Sequence, residues 1–480
     1  MPSSTFRTTA HDLVDWIADY LEHAERYPVL SRVKPGEVRS ALPTHAPEAG
    51  EPYEAIVADF ERVILPGITH WNHPGFFAYF ATTGSEPGVL AEMLSAALNV
   101  QAMLWRTSPA ATELEEVVLG WLRDLMGLPS SFDGVIYDTA SISTLHALAA
   151  AREVTIPGVR QHGMTGRDLP RYRVYGSEHT HSSIDKAVIL LGLGHESLRK
   201  IPGDADFRMR ADLLAEAIDE DRRDGWHPMA VVATVGTTST TSVDPVPAIA
   251  DICERERVWL HVDAAYAGVA AIVPEYRHVL AGVERADSFV VNPHKWLFTP
   301  FDCSVFLTRR MDVVRQAFSL VAEYLKTTDP SEAKNLMDTG VQLGRRFRAL
   351  KLWMVLRHFG AEGLRARLSE HMRLGRLFAG WVDASPDFER LAPVPFGVVC
   401  FRARPKGFSE TETDWLNAAL LESVNQGGEI FLSHTKLDGV FTLRLAVGHL
   451  RTTEVHVARA WQLLNEHAAR LAARPTPRSR

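Results

Sequence analysis

The chain has 480 residues, 46% hydrophobic and 23% charged, with a formal net charge of -8. That length calls for two or three domains, and the composition is that of a globular protein, not a disordered or fibrous one. The acidic balance excludes a basic footprint for nucleic acid or an anionic membrane surface, and no apolar run approaches the ~20 residues that span a bilayer. The opening stretch MPSSTFRTTAHDLVDW has no apolar core of a signal peptide. Cys253, Cys303 and Cys400 are widely spaced, without a CxxC pair or zinc spacing, and read as buried small hydrophobes of a reducing, cytoplasmic compartment.

Residues 1–84 begin with an amphipathic helix, in which Leu13, Trp16, Ile17, Tyr20 and Leu21 recur at helical spacing and Pro28 ends the pattern. The stretch that follows, VKPGEVRSALPTHAPEAGEP, has too few apolar residues for a core of its own. A lone helix with a trailing arm needs another domain or subunit to cover its apolar face. Residues 85–350 alternate helical patterns with short runs rich in β-branched and aromatic residues: GVIYD (134–138), YRVYG (172–176), MAVVAT (229–234), VWLHVD (258–263), SFVVN (288–292) and CSVFL (303–307). Such runs predict strands buried on both faces of a mainly parallel sheet, and ligands of such sheets sit beyond the carboxyl ends of the strands. Residues 351–480 change to long helices and a few strands (GVVCFRARP, GVFTLRLAV), a smaller α+β domain with a disordered tail, AARPTPRSR.

The candidate chemistry lies at the ends of the predicted strands. Lys295, in NPHKWLFTP, follows SFVVN and sits between His294 and Trp296. Loss of water there lowers a lysine pKa and makes the amine nucleophilic enough to hold a carbonyl cofactor. Asp263 ends VWLHVD and precedes AAYAG, small residues that let a flat ring approach the backbone. A carboxylate at the end of a buried strand needs a partner. The pyridinium nitrogen of pyridoxal 5′-phosphate (PLP) is one such partner, because it must stay protonated for the ring to accept electrons. A structural salt bridge or a metal ligand is the alternative. His261 is read as pointing to the opposite face of the strand, which leaves no convergent cluster for a metal.

A phosphate site is also needed. Thr139, Ala140 and Ser141, between GVIYD and a helical pattern, offer backbone N–H and hydroxyl donors at a positive helix end; an ordinary N-cap is the alternative. His181, in SEHTHSSIDKA, follows another strand and suits either stacking on a ring or a polar position near a helix start. Thr237 and Thr238 follow the next strand and are equally open. No GxGxxG or GxxxxGK[ST] motif occurs, so nicotinamide and nucleoside-triphosphate chemistry has no support.

These segments together resemble the group II PLP-dependent decarboxylases, the aromatic-L-amino-acid decarboxylase family, from about residue 8 to residue 465. HVDAAYAG, DSFVVNPHKW, SPAATELE, THSSIDKA and LGRRFRALKLW carry the resemblance. It implies an aspartate-aminotransferase-like α/β fold of type I, with a mainly parallel seven-stranded sheet, a smaller C-terminal domain and an N-terminal helical dimerisation segment swapped within a homodimer. It also implies decarboxylation of an aromatic L-amino acid to an amine. By this similarity Lys295 is the Schiff-base lysine and Asp263 pairs with the pyridine nitrogen. His181 stacks on the ring and Ala265 packs on its other face. Thr139, Ala140, Ser141, Asn292 and His294 serve the phosphate region, with Thr238 near the cofactor. Trp71, Tyr79, Phe80 and Thr82, in WNHPGFFAYFATTG, match the family's substrate segment, although they would serve equally as domain core.

The family usually has a tyrosine, directly after an Asp and shortly before LGRRF, that helps protonate Cα after CO2 leaves. Here Asp338 is followed by Thr339, whose hydroxyl is shorter and much less acidic than a phenol. Relatives with phenylalanine there release an aldehyde by oxidative decarboxylation–deamination. An aldehyde synthase is therefore the second reading, and a PLP-binding protein with little turnover the third. Ile142 and Ala81 also depart from common family residues. Gly344 in LGRRF is the residue of members that take larger aromatic substrates.

Overall fold

The computed structural model describes residues 2–320 and 334–473; the tail from 474 onward, expected to be disordered, lies outside the described residues. The chain forms two compact units, one of Thr82–Arg376 with Ala392–Val398, the other of Met1–Ala81, Leu377–Leu391 and Val399–Arg480. The first two boundaries between these units fall at 81/82 and 376/377. Backbone hydrogen bonding explains why the N-terminal segment groups with the C-terminal one: the Val29 N–H donates to the Gly428 carbonyl, Phe77 to Phe431, and Ala446 to Phe77, each at 2.9 Å.

The larger unit is built on seven strands: β1 (Asp133–Tyr137), β2 (Arg171–Ser177), β3 (Leu198–Ile201), β4 (Trp226–Thr234), β5 (Trp259–Asp263), β6 (Ser288–Val291) and β7 (Ser304–Thr308). Their spatial order is β1-β7-β6-β5-β4-β2-β3. Only β7 runs against its neighbours, antiparallel to β1 and β6, while the pairs β2–β3, β2–β4, β4–β5 and β5–β6 are parallel. β5, β6 and β7 are buried at every position, as expected of strands covered by helices on both faces. All six strand runs read from the sequence are strands here. β3 is the additional one, an edge strand whose sequence LRKI is too short and polar to stand out.

The helix Pro109–Met126 shows how sequence signals set the frame. Ser108 caps it by accepting the Ala111 N–H at 3.2 Å, Pro109 occupies the first turn, and Gly127 ends it in the left-handed region (φ 75°). Its buried face carries Glu115, which forms an ion pair with Arg345 at 2.7 Å, both side chains buried. The same pair holds the edge of the sheet: Glu115 accepts the Ile136 N–H at 2.8 Å, and Arg345 donates to the Ile136 carbonyl at 3.0 Å. LGRRF is thereby fixed to β1.

The other unit has a four-stranded sheet, β10-β11-β9-β8, of Phe388–Arg390 (β8), Val398–Ala403 (β9), Ser433–Leu437 (β10) and Val440–Ala446 (β11). Its N-terminal helix, Ser3–Glu22, buries no residue and leaves Phe6, Leu13 and Val14 exposed. Trp16 stacks on Tyr20 with ring centroids 5.4 Å apart and meets Phe60 edge-on at 5.4 Å. No described helix is long and apolar enough to cross a membrane.

Removing one partner of a buried ion pair leaves the other charge uncompensated. Glu115→Gln and Arg345→Met are each expected to destabilise the protein by about 3 kcal/mol. The double variant should lose less than the sum, as read from thermal midpoints of the four proteins.

Candidate active site

Strands β2, β4, β5 and β6 run in one direction, so Ser177, Thr234, Asp263 and Val291 end them at one edge of the sheet. Register sets Asp263 level with Thr234 on one side and Val290 on the other. The small residues after Asp263 fold back tightly: Ala265 N–H donates to the Asp263 Oδ1 at 3.0 Å, and Asn292 N–H to the Ala265 carbonyl at 3.0 Å. Gly236, after β4, has φ +91° and no room for a side chain, because a Cβ would lie 2.6 Å from that of Ala267. AAYAG thus keeps the backbone close to the strand ends.

Lys295 lies in the short helical turn Pro293–Trp296, with Asn292 at its N-cap. Its pKa is held below the ordinary ammonium value, mainly by burial, with Asp263 opposing the shift. His181 is also lowered, first by the protein around it and then by the Lys295 charge, while Asp263 pulls the other way. Lys295, Asp263 and His181 thus lie within electrostatic reach of one another. The His181 Nδ1 accepts the Ser183 N–H at 3.1 Å, which puts the ring hydrogen on Nε2. His294, pushed down to about 3 chiefly by burial, is held through Nδ1 by the Cys303 N–H at 2.8 Å.

The remaining expected residues divide between the two units. Thr139 is the N-cap of the helix Ala140–Thr155 but makes no side-chain cap; its hydroxyl turns to Asp138 at 3.0 Å. Ala140 and Ser141 therefore bring first-turn N–H donors that have no intrahelical acceptor. Ala265 and Asn292 are buried, Thr238 is exposed, and Thr237 is buried with its hydroxyl 3.0 Å from that of Thr240. Thr82 belongs to the larger unit. Trp71, Tyr79 and Phe80 belong to the other. There Trp71 lies 4.4 Å from Phe76 and 6.0 Å from Tyr79, ring to ring.

Three features escaped the sequence reading. His261 shares a face with Asp263, because side chains two apart on a strand point the same way; the expectation that it faces away is incorrect. Among the described residues there is still no cluster of three or more His, Cys, Asp or Glu that could hold a metal. Thr234 is level with Asp263, and its buried hydroxyl has no partner among the described residues; its place at a strand end was the available signal. Arg444 sits with its guanidinium 5.3 Å from the Phe80 ring and donates to the Ser433 hydroxyl at 3.1 Å. Nothing in its local sequence marks it.

The segment around Thr339 is tightly fixed. Thr339 is buried, with its hydroxyl donating to the Leu336 carbonyl at 2.6 Å and its own carbonyl accepting the Tyr137 hydroxyl. Val341 N–H donates to the His146 Nε2 at 3.2 Å. Between them Gly340 leaves no space for a Cβ, which would lie 2.7 Å from the His146 ring.

A desolvated amine, a buried carboxylate beside it, a helix start with open N–H donors and, as an acceptor, a buried Asn292 Oδ1 without a partner among the described residues make a set of polar groups that fits a lysine-tethered, phosphate-bearing pyridine. The comparisons agree. Residues 35–404 match the model of the pyridoxal-dependent decarboxylase conserved domain. A tryptophan decarboxylase of Camptotheca acuminata is 43% identical over 475 residues, 96% of this chain and 93% of that one. A phenylacetaldehyde synthase of Arabidopsis thaliana is 42% identical, covering 98% and 97%. The solved structure of Oryza sativa TDC with PLP and tryptamine superposes with a TM-score of 0.95 at 38% identity, over 98% of this chain and 99% of that one.

The sheet and its reversed strand are those of PLP enzymes of fold type I. The chain belongs to the pyridoxal-dependent decarboxylase family, and its cofactor is PLP.

Lys295→Ala is expected to abolish the visible absorbance of the lysine-linked cofactor and the label fixed by borohydride. A reducible link that survives in this variant would remove Lys295 from its assigned place.

Proposed function

We propose that the protein decarboxylates an aromatic L-amino acid to the corresponding amine and CO2. The observation that carries this reading is the placement of buried Lys295 within the electrostatic reach of Asp263 just beyond the strand ends, in a family whose relatives named above are a tryptophan decarboxylase and a phenylacetaldehyde synthase. Bound there, PLP supplies an electron sink for the pair released when the Cα–carboxylate bond breaks.

The chain's own residues do the rest. Lys295, kept short of water, has a larger uncharged fraction and so a more nucleophilic amine. Asp263 offers a fixed negative charge to the pyridine nitrogen and keeps it protonated. His181 presents a neutral ring with its hydrogen on Nε2, suited to stack on the cofactor face, with Ala265 as the flat surface opposite. Thr139, Ala140, Ser141, Asn292 and His294 hold the phosphate region, and Thr238 lies beside it. Trp71, Tyr79, Phe80 and Thr82 recognise the substrate, their aromatic surface matching a flat side chain.

The enzyme acts as a homodimer in the cytoplasm. The uncovered apolar positions Phe6, Leu13 and Val14 support the first statement, and three buried cysteines, none in a disulfide among the described residues, support the second.

A specific observation favours a second product. The Thr339 hydroxyl is already donated to the Leu336 carbonyl and is not available to protonate Cα. If no other group returns that proton, O2 and water convert the substrate to aldehyde, CO2, ammonia and hydrogen peroxide. PLP-loaded protein offered tryptophan, tyrosine, phenylalanine and their hydroxylated forms separates the readings: CO2 with amine supports the first, CO2 with aldehyde and peroxide the second. Absence of turnover on the whole panel overturns both. Thr339→Tyr is expected to raise the amine-to-aldehyde ratio at least tenfold, on the order of what a positioned general acid contributes; an unchanged ratio would show that this position does not control the branch.

A further inference from the structure

Among the charged residues of LGRRFRALKLW, Arg345 serves the fold through its pair with Glu115. Arg346, Arg348 and Lys351 converge on a different carboxylate, Asp302, in the segment that leads from Lys295 to β7. Arg348, the first residue of the helix Arg348–Ala384, grips it with two prongs, Nε to Oδ1 at 2.9 Å and Nη2 to Oδ2 at 3.2 Å. Arg346 and Lys351 stand farther from Oδ1, at 3.6 and 4.0 Å, and the buried Lys351 is itself paired with Glu92. The Arg348 and Asp302 side chains are only 13% and 17% exposed. Shielding of that kind, with a two-pronged geometry, makes a firmer contact than a surface ion pair.

Both neighbours of Asp302 in the chain touch His294. The Phe301 ring lies 4.7 Å from the imidazole, centroid to centroid. The Cys303 N–H donates to the His294 Nδ1 at 2.8 Å, and the Cys303 carbonyl accepts the His294 N–H at 3.4 Å. An imidazole nitrogen that accepts carries no hydrogen, so the neutral ring keeps its hydrogen on Nε2. Ser304 follows, its Oγ 2.9 Å from the Ser143 Oγ, on the helix Ala140–Thr155 whose first turn brings the open N–H donors. Residues 301–304 thus reach both parts of the proposed phosphate region, and Arg348 fixes the side chain in their midst.

We infer that Arg348 is a positioning residue for the cofactor phosphate: its two-pronged hold on Asp302 sets the segment 301–304, and through Cys303 the direction in which His294 offers its Nε2–H. This rests on the proposed place of His294 in the phosphate region. An ion pair that only stabilised the fold would alter every ligand of the site alike. One that aims a phosphate donor acts on phosphate-bearing ligands alone.

Pyridoxal, which has the aldehyde and ring of PLP but no phosphate, separates the two. Full-length protein freed of cofactor is titrated with PLP and with pyridoxal, read by the absorbance of the lysine-linked ring, for the wild type, Arg348→Met, His294→Ala and the double variant. His294→Ala should weaken PLP about thirtyfold, within the range of one hydrogen bond to a charged group, and Arg348→Met about tenfold. Pyridoxal binding should stay within about twofold of wild type in both. Because both changes act on the same hydrogen bond, adding Arg348→Met to His294→Ala should cost PLP less than about threefold more. Equal weakening of PLP and pyridoxal in Arg348→Met overturns the inference, as does wild-type PLP binding there or a full further tenfold loss in the double variant. Wild-type PLP binding in His294→Ala overturns instead the reading on which it rests. Should Arg348→Met fail to fold, Asp302→Asn takes its place, since it keeps the volume and loses the charged grip; PLP should again weaken while pyridoxal does not, and unchanged PLP binding would refute the proposal.

Discussion

An amine kept short of water beside a carboxylate that opposes its loss of charge is the constraint on which this molecule turns. Lys295 could not keep a lowered pKa on a solvated surface, and a buried carboxylate such as Asp263 needs a polar partner. Parallel strands reconcile the two demands. They bury β5 and β6 on both faces, yet end together, so that polar groups placed just past the last apolar residue meet at one rim. The reversed β7 lets the chain return beside β6, and the Cys303 N–H just before it holds His294 next to the lysine.

Much of this frame was legible in the residues. β-branched runs marked six of the seven strands, and the polar residue after each of the runs other than the reversed β7 marked the rim. What stayed hidden did so for physical reasons. β3, β8 and β10 are short or half-polar, and their pairing comes from neighbours distant in the chain, not from local pattern. The grouping of the first eighty-odd residues with the last hundred depends on a few backbone hydrogen bonds, such as Val29 to Gly428, which leave no trace in side-chain periodicity. His261 was misassigned through the strand alternation itself, although the two-residue spacing from Asp263 was in view. Thr339 was recognised as a departure, but that its hydroxyl is already engaged became visible only with the Leu336 carbonyl in place.

The site is supported from behind by groups far from the chemistry. Trp296, next to Lys295, stacks on Tyr266 at 4.8 Å and donates its indole N–H to the His371 Nδ1 at 3.0 Å. This fixes the turn that aims the lysine. Arg345 and Glu115 do the same for LGRRF, at the cost of burying two charges together. Precision at the rim is thus distributed over residues that touch neither cofactor nor substrate.

The glycine pressed against His146 bears on how this enzyme can be rebuilt. Residues 339–341 are gripped by Tyr137 and His146 in a gap that admits only a hydrogen at position 340. Swapping in the corresponding stretch from a relative will succeed when the donor segment brings glycine at that point, and otherwise requires a smaller residue at 146. Chimeras designed to redirect product chemistry should therefore treat Gly340 and His146 as a single exchangeable cassette.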